Sequence, residues 1–193
     1  MNPLDAERLL YPRVSDIITK QRIEALQAIP EIHLENAAKR GDLIHKLCSM
    51  YLNKLWIMEM DSESESYMNA FIEWSKNNIK HVLMTDRRLY DDEKKFTGEF
   101  DLIAQIQGLS GPVLVDIKTS RTYSNAWPIQ LAAYKRLCDV NGIKVVSACN
   151  LHLKKNSNGE VKVKLIPYDD LTTYGKIFQS ALDCYDYFHR KQT

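Results

Sequence analysis

Apolar positions recur with helical spacing through most of the first 80 residues and then change to strand spacing. The segment "SDIITKQRIEAL" predicts a helix that Ser15 can cap. Pro30 interrupts before the helical period resumes in "EIHLENAAKRGDLIHKLCSMYLNKLW". A third helix fits "ESYMNAFIEWSKNNI", led in by the acidic run "DSESES", which reads as a loop or a fraying helix start. From His81 the pattern is that of strands: "HVLMTDRRLY", "KFTGEFDLIAQIQ" and "PVLVDIKTS", with the turn-rich "GLSGP" joining the last two as a hairpin. "NAWPIQLAAYKRLCDVNG" returns to a helix, with Pro128 in its first turn and Gly142 past its end. Two further strands, "KVVSACNLHLKK" and "EVKVKLIPYD", flank the hairpin signal "NSNG". A closing amphipathic helix fits "LTTYGKIFQSALDCYDYFHRK" and is expected to cover the core. The order predicts an α/β chain with residues 1–193 as one domain, a mainly helical front over 1–80 and a sheet core over 81–193.

One strand breaks its own pattern. In "GPVLVDIKTS", Val113, Leu114, Val115 and Ile117 form the apolar run of a covered strand, yet Asp116 and Lys118 sit inside it. Two residues apart, they share a face, and burying both is costly unless they pair or meet another charge. Asp101 lies in another apolar strand, "TGEFDLIAQI", which the "GLSGP" turn brings back beside Asp116. Two carboxylates on neighbouring strands can share a divalent cation. Mg²⁺ takes oxygen ligands and leaves positions for water and substrate phosphate, and the Ile117 carbonyl between Asp116 and Lys118 offers a third protein ligand. Lys118, too far along to be a ligand, can hold or activate the attacking water and balance charge on a pentacovalent phosphate.

Other positions extend this set. Gly98 in its strand permits close approach of another backbone or a ligand. Gln130 and Tyr134 lie one turn apart on one helix face, while Ile129, Leu131 and Leu137 can serve the core. Gly41 and His45 are four apart inside a helix, where Gly costs about 1 kcal/mol against Ala, so Gly41 points to tight packing beneath His45.

Composition narrows the partners. A net charge of +1 supplies no global field for nucleic acid, so an anionic partner must be met by a local patch. The basic clusters "DRRLYDDEKK", "KTSRTY", "HLKKNSNGEVKVK" and "HRK" read by default as solvated surface. Arg121 and Tyr123 follow the "VDIK" strand, where they can reach a DNA backbone, and Trp127 at the helix entrance reads as a core or rim tryptophan that could also stack on an unpaired base. His33, His81, His152 and His189 have no partner in any pattern and read as surface. Cys48, Cys138, Cys149 and Cys184 are scattered without zinc-like spacing, as expected of reduced core thiols. The start lacks an apolar signal core and no run approaches membrane-spanning length, so a cytoplasmic, unanchored protein is expected, with no membrane partner.

Taken in order, "RGDLIH", "GEFD", "DIK" and "QLAAY" resemble the motifs of the PD-(D/E)XK nuclease superfamily, in particular its RecB-like exonuclease branch of phage-type stand-alone enzymes. The resemblance runs from "PRVSDIIT" to about Asp170. It implies a restriction-endonuclease-like core: a mixed central sheet flanked by helices, behind an N-terminal helical region. It implies a Mg²⁺- or Mn²⁺-dependent deoxyribonuclease, an exonuclease of recombination or repair that hydrolyses phosphodiester bonds with a metal-activated water. His45 would then be the helical metal ligand or metal-shell residue, Asp101 and Asp116 the acidic ligands, and Lys118 the catalytic lysine. Gln130 and Tyr134 would orient the lysine, the metal shell or the DNA phosphate. Branch members often carry a further glutamate ahead of the "GEFD" strand, where this chain offers Asp86; Glu99, on the face of Asp101, is an extra ligand or an exposed acid. The iron–sulfur cluster of some relatives is not expected, because Cys138, Cys149 and Cys184 are too far apart. The implied partners are DNA and a single-strand annealing or recombination protein; oligomeric state is left open. Three alternatives stay open: a structure-specific or restriction-like endonuclease of the same superfamily, a non-catalytic DNA-binding subunit, and RNA as substrate.

Overall fold

The computed structural model describes residues 3–20, 31–56 and 59–189. Its elements are α1 (Pro3–Arg8), α2 (Val14–Lys20), α3 (Glu31–Leu52), α4 (Ser62–Asn78), β1 (Ile79–Asp91), β2 (Phe96–Ile106), β3 (Pro112–Lys118), α5 (Ala126–Val140), β4 (Ser147–Lys155), β5 (Val161–Tyr168) and α6 (Thr172–His189). Pro30 and the distal part of the first expected helix lie outside the described residues.

Capping decides two helix starts, the first against expectation and the second between the two expected readings. Ser15 falls in the first turn of α2 instead of capping it. The Arg13 carbonyl takes the Asp16 and Ile17 amides at 3.0 and 3.2 Å, and the Asp16 carboxylate accepts the Arg13 amide at 3.2 Å. The "DSESES" run is helix, because Asp61 caps α4 by accepting the Ser64 amide at 2.7 Å.

The sheet has the order β1-β2-β3-β4-β5. Only β3 and β4 are parallel, joined through the α5 crossover; the other three pairings are antiparallel. This is the α/β chain that the pattern predicts, with the mixed, helix-flanked sheet that the resemblance implies. Helices cover both faces. On one, Val14 and Ile17 of α2, Leu131 of α5 and Phe178 and Leu182 of α6 pack over Phe96, Phe100, Ile103 and Leu114. On the other, Ile44 of α3 and Met68 and Phe71 of α4 pack over Leu102, Val115, Ile117 and Leu151. The apolar residues of β3 on both faces, Val113, Leu114, Val115 and Ile117, follow from its central place, whereas edge strand β5 largely alternates half-buried with exposed positions. Among the described residues no helix is long and apolar enough to cross a membrane.

Candidate active site

The hairpin that joins β2 to β3 opens at Asp101. The two strands pair from Leu102↔Val115 to Gln105↔Pro112. One residue further on, Asp101 Oδ2 accepts the Ile117 amide at 2.6 Å, so a side chain stands where a strand carbonyl would. The N–H and C=O of one strand residue point to the same edge, so the Ile117 carbonyl also faces this opening. Asp101 Oδ1 lies 2.9 Å from His45 Nδ1 on α3.

Asp116 sits on the opposite face of the sheet, two residues after Leu114 of the α5-side core. It is 2% exposed. Lys118 Nζ lies 2.8 Å from Asp116 Oδ2 and donates to Gln130 Oε1 at 2.7 Å. Lysine can only donate, which fixes the Gln130 amide with its NH₂ outward, and that group donates to the Tyr134 hydroxyl at 2.7 Å. On the other side, Asn150 of β4, in register with Asp116, donates to Asp116 Oδ2 at 2.6 Å. The Tyr168 hydroxyl donates to Asn150 Oδ1 at 2.9 Å. A continuous chain, Tyr168–Asn150–Asp116–Lys118–Gln130–Tyr134, therefore crosses from β5 to α5.

Charge is distributed unevenly over the two acids. Burial pushes Asp101 up, but His45, Lys118 and the Ile117 amide together bring its carboxyl below the usual value. Asp116 is held above its usual value, by burial and by the charge of Asp101, against the pull of Lys118. Burial lowers His45, and Asp101 more than reverses this, so the imidazole is raised. Burial and the two acids raise the Tyr134 phenol, so it stays a hydroxyl at any physiological pH.

The glycines have unequal reasons. A Cβ on Gly98 would lie 2.7 Å from Tyr134 Cε1 and 2.9 Å from Leu137 Cδ1, so the bare backbone of β2 is what lets α5 bring Tyr134 and Gln130 this close. Gly41 does not mark tight packing: a Cβ there would meet Thr119 Oγ1 at 3.6 Å, an ordinary contact.

The remaining candidates divide. Asp86 has φ 44°, which Asp tolerates, and occupies the gap in the β1–β2 register opposite Asp101. Its carboxyl is raised by partial burial and by Asp101 and Glu99. Glu99 is paired with Arg88 at 2.6 Å. Arg121 is exposed and Tyr123 is 48% exposed, both just past β3. Trp127, at 5% exposure, has no free face for a base; its ring meets Tyr123 at 5.0 Å and His152 at 4.9 Å. His152 is likewise not surface: it is 7% exposed and bonded at Nε2 to the Ser120 carbonyl at 2.7 Å. His81 and His189 are exposed, and the His33 side chain lies outside the described residues. Asn150 and Tyr168 escaped sequence reasoning. The signal for Asn150 was a lone amide inside the apolar run "SACNLHL", which a buried strand must satisfy.

Among the described residues, no three His, Cys, Asp or Glu side chains form a group that could hold a metal ion. The donors present are the Asp101 carboxylate and the Ile117 carbonyl at the opening, and the Asp116 carboxylate near enough to be lifted by the charge of Asp101. That set suits Mg²⁺, which is commonly held by one or two carboxylates together with substrate phosphate, better than a metal needing a full protein cage.

No family model matches the chain, and no curated protein matches it. Among solved structures it is similar to a protein from Eubacterium rectale taken to be an exonuclease, at 10% identity and a TM-score of 0.49, over 75% of this chain. This chain spans 64% of that protein's length. It is also similar to an alkaline exonuclease from Laribacter hongkongensis, at 14% identity and a TM-score of 0.41, over 96% of this chain and 95% of the other. The complex of that enzyme with dAMP aligns at 16% identity and a TM-score of 0.36, over the same shares.

Proposed function

We propose that the chain is a metal-dependent deoxyribonuclease of the PD-(D/E)XK type, acting as an exonuclease. The observation that carries this reading is the opening at Ile117. Asp101 grips its amide from one side, and Asp116 and Lys118, flanking it in sequence, are locked by Asn150 and Gln130. Two largely buried acids beside one lysine cost folding energy, and a phosphodiester site is a use that offsets the cost.

Asp101, Asp116 and the Ile117 carbonyl would hold Mg²⁺ or Mn²⁺, with His45 bracing Asp101 through its hydrogen bond. A cation so held supplies Lewis acidity and a lowered water pKa. The protein's own groups do the rest. The Lys118 ammonium, fixed between Asp116 and Gln130, is placed to hold the attacking water and balance the charge that builds on phosphorus. Gln130 keeps that ammonium from collapsing wholly onto Asp116. Tyr134 accepts from Gln130, which leaves its own proton free to reach a phosphate oxygen. Arg121 and Tyr123, exposed just past β3, would meet the DNA backbone.

The test is digestion of end-labelled single- and double-stranded linear DNA, beside covalently closed circles, in Mg²⁺, Mn²⁺ or EDTA, by the wild type and by Lys118→Ala. Release of mononucleotides or short oligomers from linear DNA only, abolished by EDTA and by the substitution, is the expected result. Cutting of closed circles would make the enzyme an endonuclease. Binding without cleavage in every lane would make it a DNA-binding subunit, and cleavage of RNA alone would move the substrate class.

A further inference from the structure

We propose that the β4–β5 hairpin carries a track for the phosphates of a nucleic-acid strand, made of Lys154, Lys162 and Lys164 and entered over Tyr123. This deepens the nuclease reading and rests on it for the identity of the polyanion.

Strand alternation sets the lysines apart from their neighbours. Leu151, Leu153, Val161, Val163 and Leu165 pack against the α3–α4 core, which puts Lys154, Lys162 and Lys164 on the other face, with Asn150 and His152. Lys154 lies directly opposite Lys162, and Lys164 opposite His152. All three lysines are exposed. Like charges directly across a ladder destabilise it. Among the described residues none of the three lysines forms an ion pair; Glu160, two residues before Lys162, is bonded by Asn156 and is one acid beside three cations, and Lys155, which has Glu63 at 3.8 Å, is on the far face. The Lys154–Lys162 pair is unfavourable for the sheet by itself. A bound polyanion would offset its repulsion.

Position ties the track to the site. Asn150, which holds Asp116, is on the same strand and face as Lys154, four residues or about 13 Å away at the usual strand rise. Lys162 and Lys164 are about 7 Å apart by the same measure. Beside Asn150 stands Tyr123, half exposed, its ring 5.0 Å from Trp127 and its hydroxyl 3.4 Å from that of Tyr168, which bonds Asn150. A tyrosine fixed in this way offers a face on which a base can stack. From Ser147 to Tyr168 no large hydrophobic residue is exposed, which favours a nucleic-acid backbone over a membrane surface or an apolar peptide.

The experiment measures binding of a short fluorescein-labelled single-stranded oligonucleotide in EDTA, across a sodium chloride series. It compares wild type, Lys154→Gln/Lys162→Gln/Lys164→Gln and Tyr123→Ala. The triple variant is expected to flatten the slope of log K against log salt by about 2, since each single-strand phosphate contact contributes about 0.7. Its melting temperature should equal or exceed the wild type's, because the repulsion is gone. Tyr123→Ala is expected to weaken binding about tenfold with the slope unchanged. Wild-type binding with the same slope in the triple variant overturns the track. So does wild-type binding to anionic vesicles but not to the oligonucleotide. The parallel Mg²⁺ digestion separates the two readings. Cleavage by the wild type with an unchanged slope leaves the nuclease and removes the track; a flattened slope without cleavage removes the nuclease and keeps the track.

Discussion

Asp101 and Ile117 are joined by a 2.6 Å bond from main-chain amide to carboxylate, at the position where β2 and β3 would otherwise exchange main-chain bonds. One side chain thus ends a ladder, satisfies a buried amide and holds a charge at the opening it creates. Asn at this position can still accept the amide but has no charge to offer. Asp101→Asn is expected to keep the fold and lose cleavage by about a hundredfold or more, the scale of losing one aimed electrostatic group. Asp101→Ala should be less stable than the Asn variant by about 1–3 kcal/mol, the cost of an unpartnered buried amide. Denaturant titration of both variants, beside the cleavage assay, checks this. Equal stability would mean that water replaces the carboxylate.

Gly98 and Gly41 should respond with opposite signs. Gly98→Ala forces a methyl group to within 3 Å of Tyr134 and Leu137 and is expected to cost about 1–3 kcal/mol by overpacking. It should also displace Gln130 and Tyr134 and so reduce activity. Gly41→Ala meets only Thr119 at ordinary contact distance and should stabilise α3 by up to about 1 kcal/mol. Melting curves of the two variants decide it. A stabilising Gly98→Ala would remove the argument that this glycine sets the approach of α5.

The polar chain through Asn150 predicts a graded pair. Tyr168→Phe removes one donor and should cost about 0.5–1.5 kcal/mol. Asn150→Leu strips Asp116 of a buried hydrogen bond, and should cost more and depress cleavage as well. If Asn150→Leu proved as active as the wild type, Asp116 would need no orientation from β4.

Legibility in the sequence followed periodicity and chemistry, and failed where a long-range partner decided the outcome. The element order and the β2–β3 and β4–β5 hairpins could be read because apolar alternation and turn glycines are local signals; Gly108, Gly111 and Gly159 all adopt the positive φ that those turns need. Asp116 and Lys118 could be found because charge inside an apolar run is anomalous on its own strand. Asn150, Tyr168 and His152 could not be assigned so easily, because their roles depend on which strand lies beside β3. That order, with β4 parallel to β3, is set by the α5 crossover and not by any short motif. Trp127 stayed open between base stacking and the core for a related reason: its neighbours Tyr123 and His152 come from different segments. Ser15 lost the cap to local competition, since Asp16 reached the Arg13 amide instead.

Metal addition should register in stability without any substrate. With Asp116 held up by burial and by Asp101, a cation that binds only the folded protein is expected to raise the melting temperature. A Mg²⁺ concentration one hundred times its dissociation constant corresponds to about 2.7 kcal/mol. EDTA should reverse the rise, and Asp116→Asn should abolish it. A wild type whose melting point ignores both Mg²⁺ and Mn²⁺ would leave the two acids without a cation to share.

Acid should release the N-terminal helix before it reaches the sheet. Arg8 of α1 donates to Asp92 at 2.9 Å and the Tyr11 hydroxyl adds a bond at 3.3 Å, tying the start of the chain to the β1–β2 turn. The Arg8 hydrogen bond holds the Asp92 carboxyl below its usual value. For an acid whose folded-state pKa is depressed, the stabilisation is fully present above the unfolded value of about 3.9 and is lost as pH falls through the lower folded value. Melting temperatures of the wild type and Asp92→Asn, followed from neutral pH downward, should therefore run apart by a constant interval and converge only below about pH 4. Because both side chains are roughly one-third exposed, the interval should also shrink in high salt. Curves that stay parallel down to the most acidic point would show that the separation owes nothing to the Asp92 charge, and the tie between α1 and the turn would have to be carried by Tyr11 and Lys95 instead.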